Sequence, residues 1–187
     1  LDDNDVYQSG GQTLNFHGFE NLAGGNDDDR FEIKGAKDYN LSGGTGDDTF
    51  AFIGDGSLAG SINGGSGANT LDYRDYDLGD GSGVIVDLLT GSSAGVKDSL
   101  AGYVQGIRNL IGSMFHDTLT GNYENNSLQG MSGNDILSGR GGSNTYIFHP
   151  GWGSDTVVNT SGQGTLNFSS INTGLTVDLT YGAGATV

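Results

Sequence analysis

A nine-residue period constrains this chain more than any other feature. From Gly112 to Ile147 it divides without a gap into GSMFHDTLT, GNYENNSLQ, GMSGNDILS and GRGGSNTYI. Each unit opens on glycine, carries Asp or Asn at its sixth position, and has Leu119, Leu128, Leu137 or Tyr146 at its eighth. After Phe148 and His149 the pattern resumes in PGWGSDTVV and NTSGQGTLN, with Val157 and Leu166 as the apolar members. Upstream, GGNDDDRFE starts at Gly24, GGTGDDTFA at Gly43 and GGSGANTLD at Gly64, with a degenerate unit, KGAKDYNLS, from Lys34. Internal repetition at a fixed period signals a stacked architecture, because one short unit cannot bury an apolar face alone.

The unit has a direct physical reading. Its glycine-rich first six residues turn the chain, since glycine takes positive φ without steric cost. The last three, such as Thr118-Leu119-Thr120, form a minimal strand whose middle side chain points inward. Two units close one coil of about 18 residues, and coils stack at about 4.8 Å. The expected inward ladder is Phe31, Leu41, Phe50, Leu71, Leu119, Leu128, Leu137, Tyr146, Val157 and Leu166. Tyr73, Tyr76, Tyr103, Tyr123 and Trp152 are read as packing at irregular rungs. The sixth-position residues then line up in columns, and rows of like charge a few ångströms apart are untenable without cations between them.

Composition points the same way. Glycine makes up 36 of 187 residues, roughly 19% against an average of about 7%. The net charge is −16, from 23 Asp and Glu against 7 Lys and Arg. Such a chain has too little apolar surface to offset its conformational entropy unaided. Something must neutralise the carboxylates and contribute binding energy, and a multivalent cation is the simplest candidate. The same charge repels nucleic acid and anionic membranes. Cysteine is absent, which excludes disulfides and thiolate metal sites. No apolar run is long enough to span a bilayer, and no signal peptide opens the chain. Because it begins at Leu1, the chain is expected to be part of something longer or a processed product.

The units resemble the calcium-binding nonapeptide of the repeats-in-toxin (RTX), or hemolysin-type, family, G-G-x-G-x-D-x-U-x with U large and apolar. GGTGDDTFA matches every defined position, and GGSGANTLD departs only by Asn69. The resemblance implies an all-β fold, a right-handed parallel β-roll or β-solenoid, with wider irregular rungs where the period lapses. It also implies folding on export into millimolar calcium, type I secretion from a Gram-negative-type bacterium, and an extracellular or cell-surface location. The expected calcium ligands are Asp29, Asp48, Asn69, Asp117, Asn126, Asp135, Asn144 and Asp155, with Asn26, Asp27, Asp28 and Asp47 assisting. Calcium takes six to eight hard oxygens. Glycine turns offer backbone carbonyls, and successive coils share each of the several ions. Asn69, Asn126 and Asn144 should make weaker sites, and Lys37 should leave its turn empty.

A longer period overlies the short one. GVIVDLLTGSSAGV from Gly83 returns as GLTVDLTYGAGATV from Gly174, and GFENLAG from Gly18 as GIRNLIG from Gly106. TLNF at Thr13–Phe16 and Thr165–Phe168 brackets TLDY at Thr70–Tyr73. The chain reads as one continuous solenoid over 1–187, about two copies of a roughly 90-residue module cut out of phase. RTX-like turns cover 24–72 and 112–167. The intervening 73–111 lacks the nonapeptide and should supply ordinary strands at Val84–Leu89 and Val104–Ile111, with a short helix near Ser99–Val104 as an option.

Catalysis finds no support. His17, His116 and His149 are scattered without H-E-x-x-H spacing, and neither G-x-S-x-G nor a P-loop occurs. Two functional readings follow. One is a calcium-rigidified structural module of an adhesin, surface-layer protein or matrix filament, able to stack head-to-tail with copies of itself. The other is the export and folding segment of a secreted enzyme or toxin whose catalytic domain lies elsewhere. The 90-residue duplication favours the first.

Overall fold

The computed structural model describes residues 5–9, 12–95, 103–174 and 176. Strands β1 (Asp5–Ser9) and β2 (Gln12–Phe16) form an antiparallel hairpin. The chain then alternates between two facing parallel sheets through β3 (Asn21–Ala23), β4 (Arg30–Lys37), β5 (Asn40–Thr45), β6 (Thr49–Leu58), β7 (Ile62–Ser66) and β8 (Thr70–Tyr76). An excursion follows through β9 (Ile85–Asp87) and β10 (Ser92–Ser93), returning at β11 (Val104–Gln105). Alternation resumes with β12 (Asn109–Ile111), β13 (Thr118–Thr120), β14 (Ser127–Gln129), β15 (Ile136–Ser138), β16 (Ser143–Ile147), β17 (Thr156–Val158) and β18 (Gln163–Asn167).

One sheet runs the whole length of the stack, in the order β18-β16-β14-β12-β8-β6-β4. Its inward rank is Phe31, Phe50, Leu71, Leu110, Leu128, Tyr146 and Leu166, each in register with the next. The facing side is two sheets. The first stacks Leu22, Leu41, Ile62 and Val104, and the second stacks Val86, Leu119, Leu137 and Val157. This is the expected all-β solenoid, and the ladder from Leu41 to Tyr146 is buried as expected. Leu166 is 55% exposed, because no described strand stacks beyond β18.

The two halves of the roll differ in width. Between Asp117 and Asp135, and between Asn126 and Asn144, one coil takes 18 residues, with a nonapeptide turn on both edges. Between Asp29, Asp48 and Asn69 it takes 19 and then 21. Here only one edge carries the nonapeptide turn, so the two-units-per-coil expectation fails for this half. The other edge is made by the long strands β4 and β6, whose register shifts beside Gly35 and past Ala51. KGAKDYNLS is thus a bulged strand return rather than a turn of the repeat. The extra width is filled by a second inward rank, Ile33, Phe52 and Tyr73, with the last two rings stacked at 4.9 Å. Tyr76 meets both rings edge-on. The Tyr73 hydroxyl bonds Ser93 Oγ and donates to the Ala94 carbonyl at 2.8 Å, which ties the excursion to this cluster.

Residues 73–111 therefore do supply strands, but β9 pairs forward with β13 while β11 pairs back with β7. The option of a helix near Ser99–Val104 falls mostly on residues 96–102, outside the described set, and Val104 itself is in β11. The GLTVDLT return lies largely outside it as well. Of the aromatic residues assigned to irregular rungs, Tyr73 and Tyr76 are buried and Tyr103 and Trp152 half-buried. Tyr123 departs from that reading, standing 71% exposed on a turn. Among the described residues no helix is long and apolar enough to cross a membrane.

Candidate metal centre

The repeat turns gather on two edges. The entry edge, leading into the long sheet, holds turns 24–29, 43–48, 64–69, 106–108, 121–126, 139–144 and 159–162. The exit edge, leading out of it, holds turns 112–117, 130–135 and 150–155, preceded by Gly83 and Val84.

Asp29 accepts the Gly25 N–H of its own turn at 2.6 Å, and the sixth-position side chains from Asp48 to Asp155 reach back one coil. Asp48 Oδ1 accepts the Asp29 N–H at 2.9 Å, and Asn69 Oδ1 accepts the Asp48 N–H at 2.8 Å. On the exit edge Asp117 accepts from Val84 at 2.7 Å, Asp135 from Asp117 at 2.9 Å, and Asp155 from Asp135 at 3.0 Å. Asn144 accepts from Asn126 at 3.0 Å. The structure thus brings the predicted residues into two continuous columns. Asp48, Asn69, Asp117, Asn126, Asp135 and Asn144 are buried, while Asp29 and Asp155 are half-buried.

A second column went unread in the sequence. Fifth-position side chains reach forward one coil: Asp28 Oδ1 accepts the Asp47 N–H, Asp47 Oδ1 the Ala68 N–H, and Asn125 Oδ1 the Ser143 N–H, all at 2.7 Å. His116 Nδ1 accepts from Asn134 N–H at 2.7 Å, and Asn134 Oδ1 from Ser154 N–H at 2.9 Å. An acceptor side chain recurs at position five as it does at position six, and that was the signal available. Asp47 belongs to this ladder, and the Asn26 carbonyl accepts the Thr45 hydroxyl at 3.1 Å. Asn26, Asp27, Asp28 and Asp47 lie exposed on the rim of their turns.

The electrostatics of the columns call for a cation. Asp48 Oδ2 and Asp135 Oδ2 are buried and without a hydrogen-bond partner. An unsatisfied buried acceptor costs about 1–3 kcal/mol, and more when charged. Burial raises the Asp117 and Asp155 carboxyls above the ordinary carboxylate range. Burial, with Asp117 and Asp155 on either side, pushes Asp135 up to about 7. Carbonyls stack closely beside these groups: a Cβ placed on Gly46 would lie 2.6 Å from the Asp27 carbonyl carbon, and one on Gly133 2.3 Å from the Phe115 oxygen. The donor set is carboxylate and carbonyl oxygen, which suits a hard divalent ion such as calcium. Among the described residues no three His, Cys, Asp or Glu side chains converge on one point, so a shell here must draw on backbone oxygens.

The turn also sets backbone demands. Position two is left-handed in several turns, with φ of 109° at Gly44 and 80° at Gly65, and the non-glycine residues Met131 (76°) and Arg140 (59°) adopt the same state. Arg140 is anchored by Asp87, to which it donates two hydrogen bonds of 2.6 and 2.7 Å.

Comparison with known proteins agrees with this geometry. No curated protein matches the chain. Residues 111–146 match the family model of the RTX calcium-binding nonapeptide repeat, in four copies. The chain thus carries an array of RTX calcium-binding nonapeptide repeats over residues 111–146, and turns of the same build recur at Gly24, Gly43 and Gly64.

Proposed function

We propose that this chain is a calcium-rigidified structural module of a large secreted or cell-surface protein, without catalysis of its own. The observation that carries the reading is the pair of in-register carboxylate columns with buried, unpartnered oxygens at Asp48 and Asp135. Asp29 and Asp48 on the entry edge, and Asp117, Asp135 and Asp155 on the exit edge, would hold the ions together with turn carbonyls. Bound calcium supplies positive charge that the carboxylates share between coils. Extracellular modules bind calcium with dissociation constants of about 10⁻⁴–10⁻³ M, so export itself would switch on the fold. The repeated 90-residue module supports an adhesin, surface-layer or filament context over an enzyme's export segment. β3 and β4 end their sheets on one side of the stack and β17 and β18 on the other, and such edges suit head-to-tail stacking of copies.

The test is a calcium titration of the chelated chain followed by far-ultraviolet circular dichroism, with magnesium as control. A cooperative gain of β signal in calcium alone is expected. A chain already folded in chelator and indifferent to calcium would remove the metal from the mechanism. Light scattering in calcium addresses the stacking, and the parent reading frame addresses the context: further 90-residue copies support a structural role, and an adjoining protease or lipase domain opposes it.

A further inference from the structure

Asparagine holds position six at Asn69, Asn126 and Asn144, and all three lie on the entry edge. Each amide uses its second polar atom. Asn126 Nδ2 donates to the Arg108 carbonyl at 3.1 Å, Asn144 Nδ2 to the Gly141 carbonyl at 2.9 Å, and Asn69 Nδ2 to the Gly106 carbonyl at 2.9 Å. Their Oδ1 atoms meanwhile accept backbone N–H groups. The contrast with Asp48 and Asp135 is chemical: there the second oxygen is buried with no partner. An amide NH₂ donates to the carbonyls that a cation would otherwise draw on.

A fixed cation also bridges this turn pair. Arg140 stands at the left-handed second position of its turn and sends Nη1 to the Gly121 carbonyl at 3.0 Å, the first carbonyl of the neighbouring turn. Asp87 holds the guanidinium through both its oxygens.

We propose that the turn pair 121–126 and 139–144 is closed without metal, by the amides of Asn126 and Asn144 and the guanidinium of Arg140, so that calcium in this half of the roll is confined to the exit edge. The proposal rests on the calcium reading above and assigns which turns take the ion. In this half of the roll the entry edge is then locked by side chains and the exit edge is conditional on calcium.

Two measurements test it. The first is the structure of the calcium-loaded chain by crystallography with anomalous scattering. Ions are expected at the Asp117, Asp135 and Asp155 turns and none between turns 121–126 and 139–144; an ion found in that pair overturns the proposal. The second is the ion count by calorimetric titration of the wild type and of Asn126→Asp/Arg140→Gly/Asn144→Asp, which restores carboxylate and glycine. A gain of at least one ion per chain is expected, and an unchanged count in a folded variant counts against the amide lock. A wild type that binds no calcium at all would instead overturn the calcium reading on which this rests, and the titration distinguishes the two failures.

Discussion

Asp135→Asn should stabilise the roll without calcium and weaken its response to calcium. Asp135 is 1% exposed, accepts the Asp117 N–H at 2.9 Å through Oδ1, and leaves Oδ2 unpartnered. Burial, with the Asp117 and Asp155 charges beside it, pushes its carboxyl up to about 7 from an ordinary 3.8. At about 1.36 kcal/mol per pKa unit, keeping it ionised in the metal-free fold costs up to roughly 4 kcal/mol. The folded pKa lies above the unfolded one, so between about pH 4 and 7 the folded state binds the extra proton. The metal-free roll is therefore least stable above pH 7 and gains stability as pH falls toward 4. Asparagine keeps the acceptor for the Asp117 N–H and removes the charge. The variant should be about 2–4 kcal/mol more stable than wild type at pH 8 without calcium, and the two should converge near pH 4. In millimolar calcium the order should reverse, because a charged ligand is gone. Urea unfolding followed by circular dichroism at pH 8 and pH 5, with and without calcium, reads all four values. A variant less stable than wild type in calcium-depleted buffer at pH 8 would refute the electrostatic argument.

Three further substitutions probe other parts of the roll. Gly46→Ala places a Cβ 2.6 Å from the Asp27 carbonyl carbon at φ 121°, whereas Gly54→Ala meets nothing within 4 Å at φ 59°. The second should cost about 1–2 kcal/mol of backbone strain and the first clearly more, as separated by urea midpoints in calcium. Leu128→Ala empties a fully buried rung between Leu110 and Tyr146, with an expected loss of about 2–5 kcal/mol in the same assay. Arg140→Gly relieves a left-handed non-glycine residue at φ 59° but frees Asp87, so hydrogen exchange should rise at β9 and at the Gly121 turn while the exit edge stays protected.

Much of this fold was legible because a nine-residue register fixes which side chains face inward. Phe50, Leu71, Leu119, Leu128 and Leu137 needed only the period, and all are fully buried. The sixth-position residues were legible for the same reason. What the period could not convey was pairing between residues distant in sequence. β9 lies beside β13 because Val86 stacks on Leu119, and no local signal in VIVDLL encodes that partner. The 19- and 21-residue coils depend on bulges beside Gly35 and past Ala51, where strand length competes with turn chemistry. Arg140 shows a further limit. A long charged residue at a glycine position reads as a defect until its guanidinium is seen on Asp87 and Gly121.

The two hydrogen-bond ladders explain how one fold accommodates both aspartate and asparagine at the same position. Position six reaches back one coil and position five reaches forward one, so a turn such as 130–135 is fastened to both neighbours through backbone N–H groups. These bonds need a side-chain acceptor and, at position six, are indifferent to its charge: Asp135 accepts from Asp117 at 2.9 Å, and Asn144 from Asn126 at 3.0 Å. Geometry is thus set by the acceptor, while charge decides whether a cation is required. Exchange of aspartate for asparagine can then alter the calcium demand of one turn without moving the strands around it. The distribution along this chain follows that logic, with Asp117, Asp135 and Asp155 on the exit-edge turns of the repeat and Asn69, Asn126 and Asn144 on the entry edge beyond Asp48.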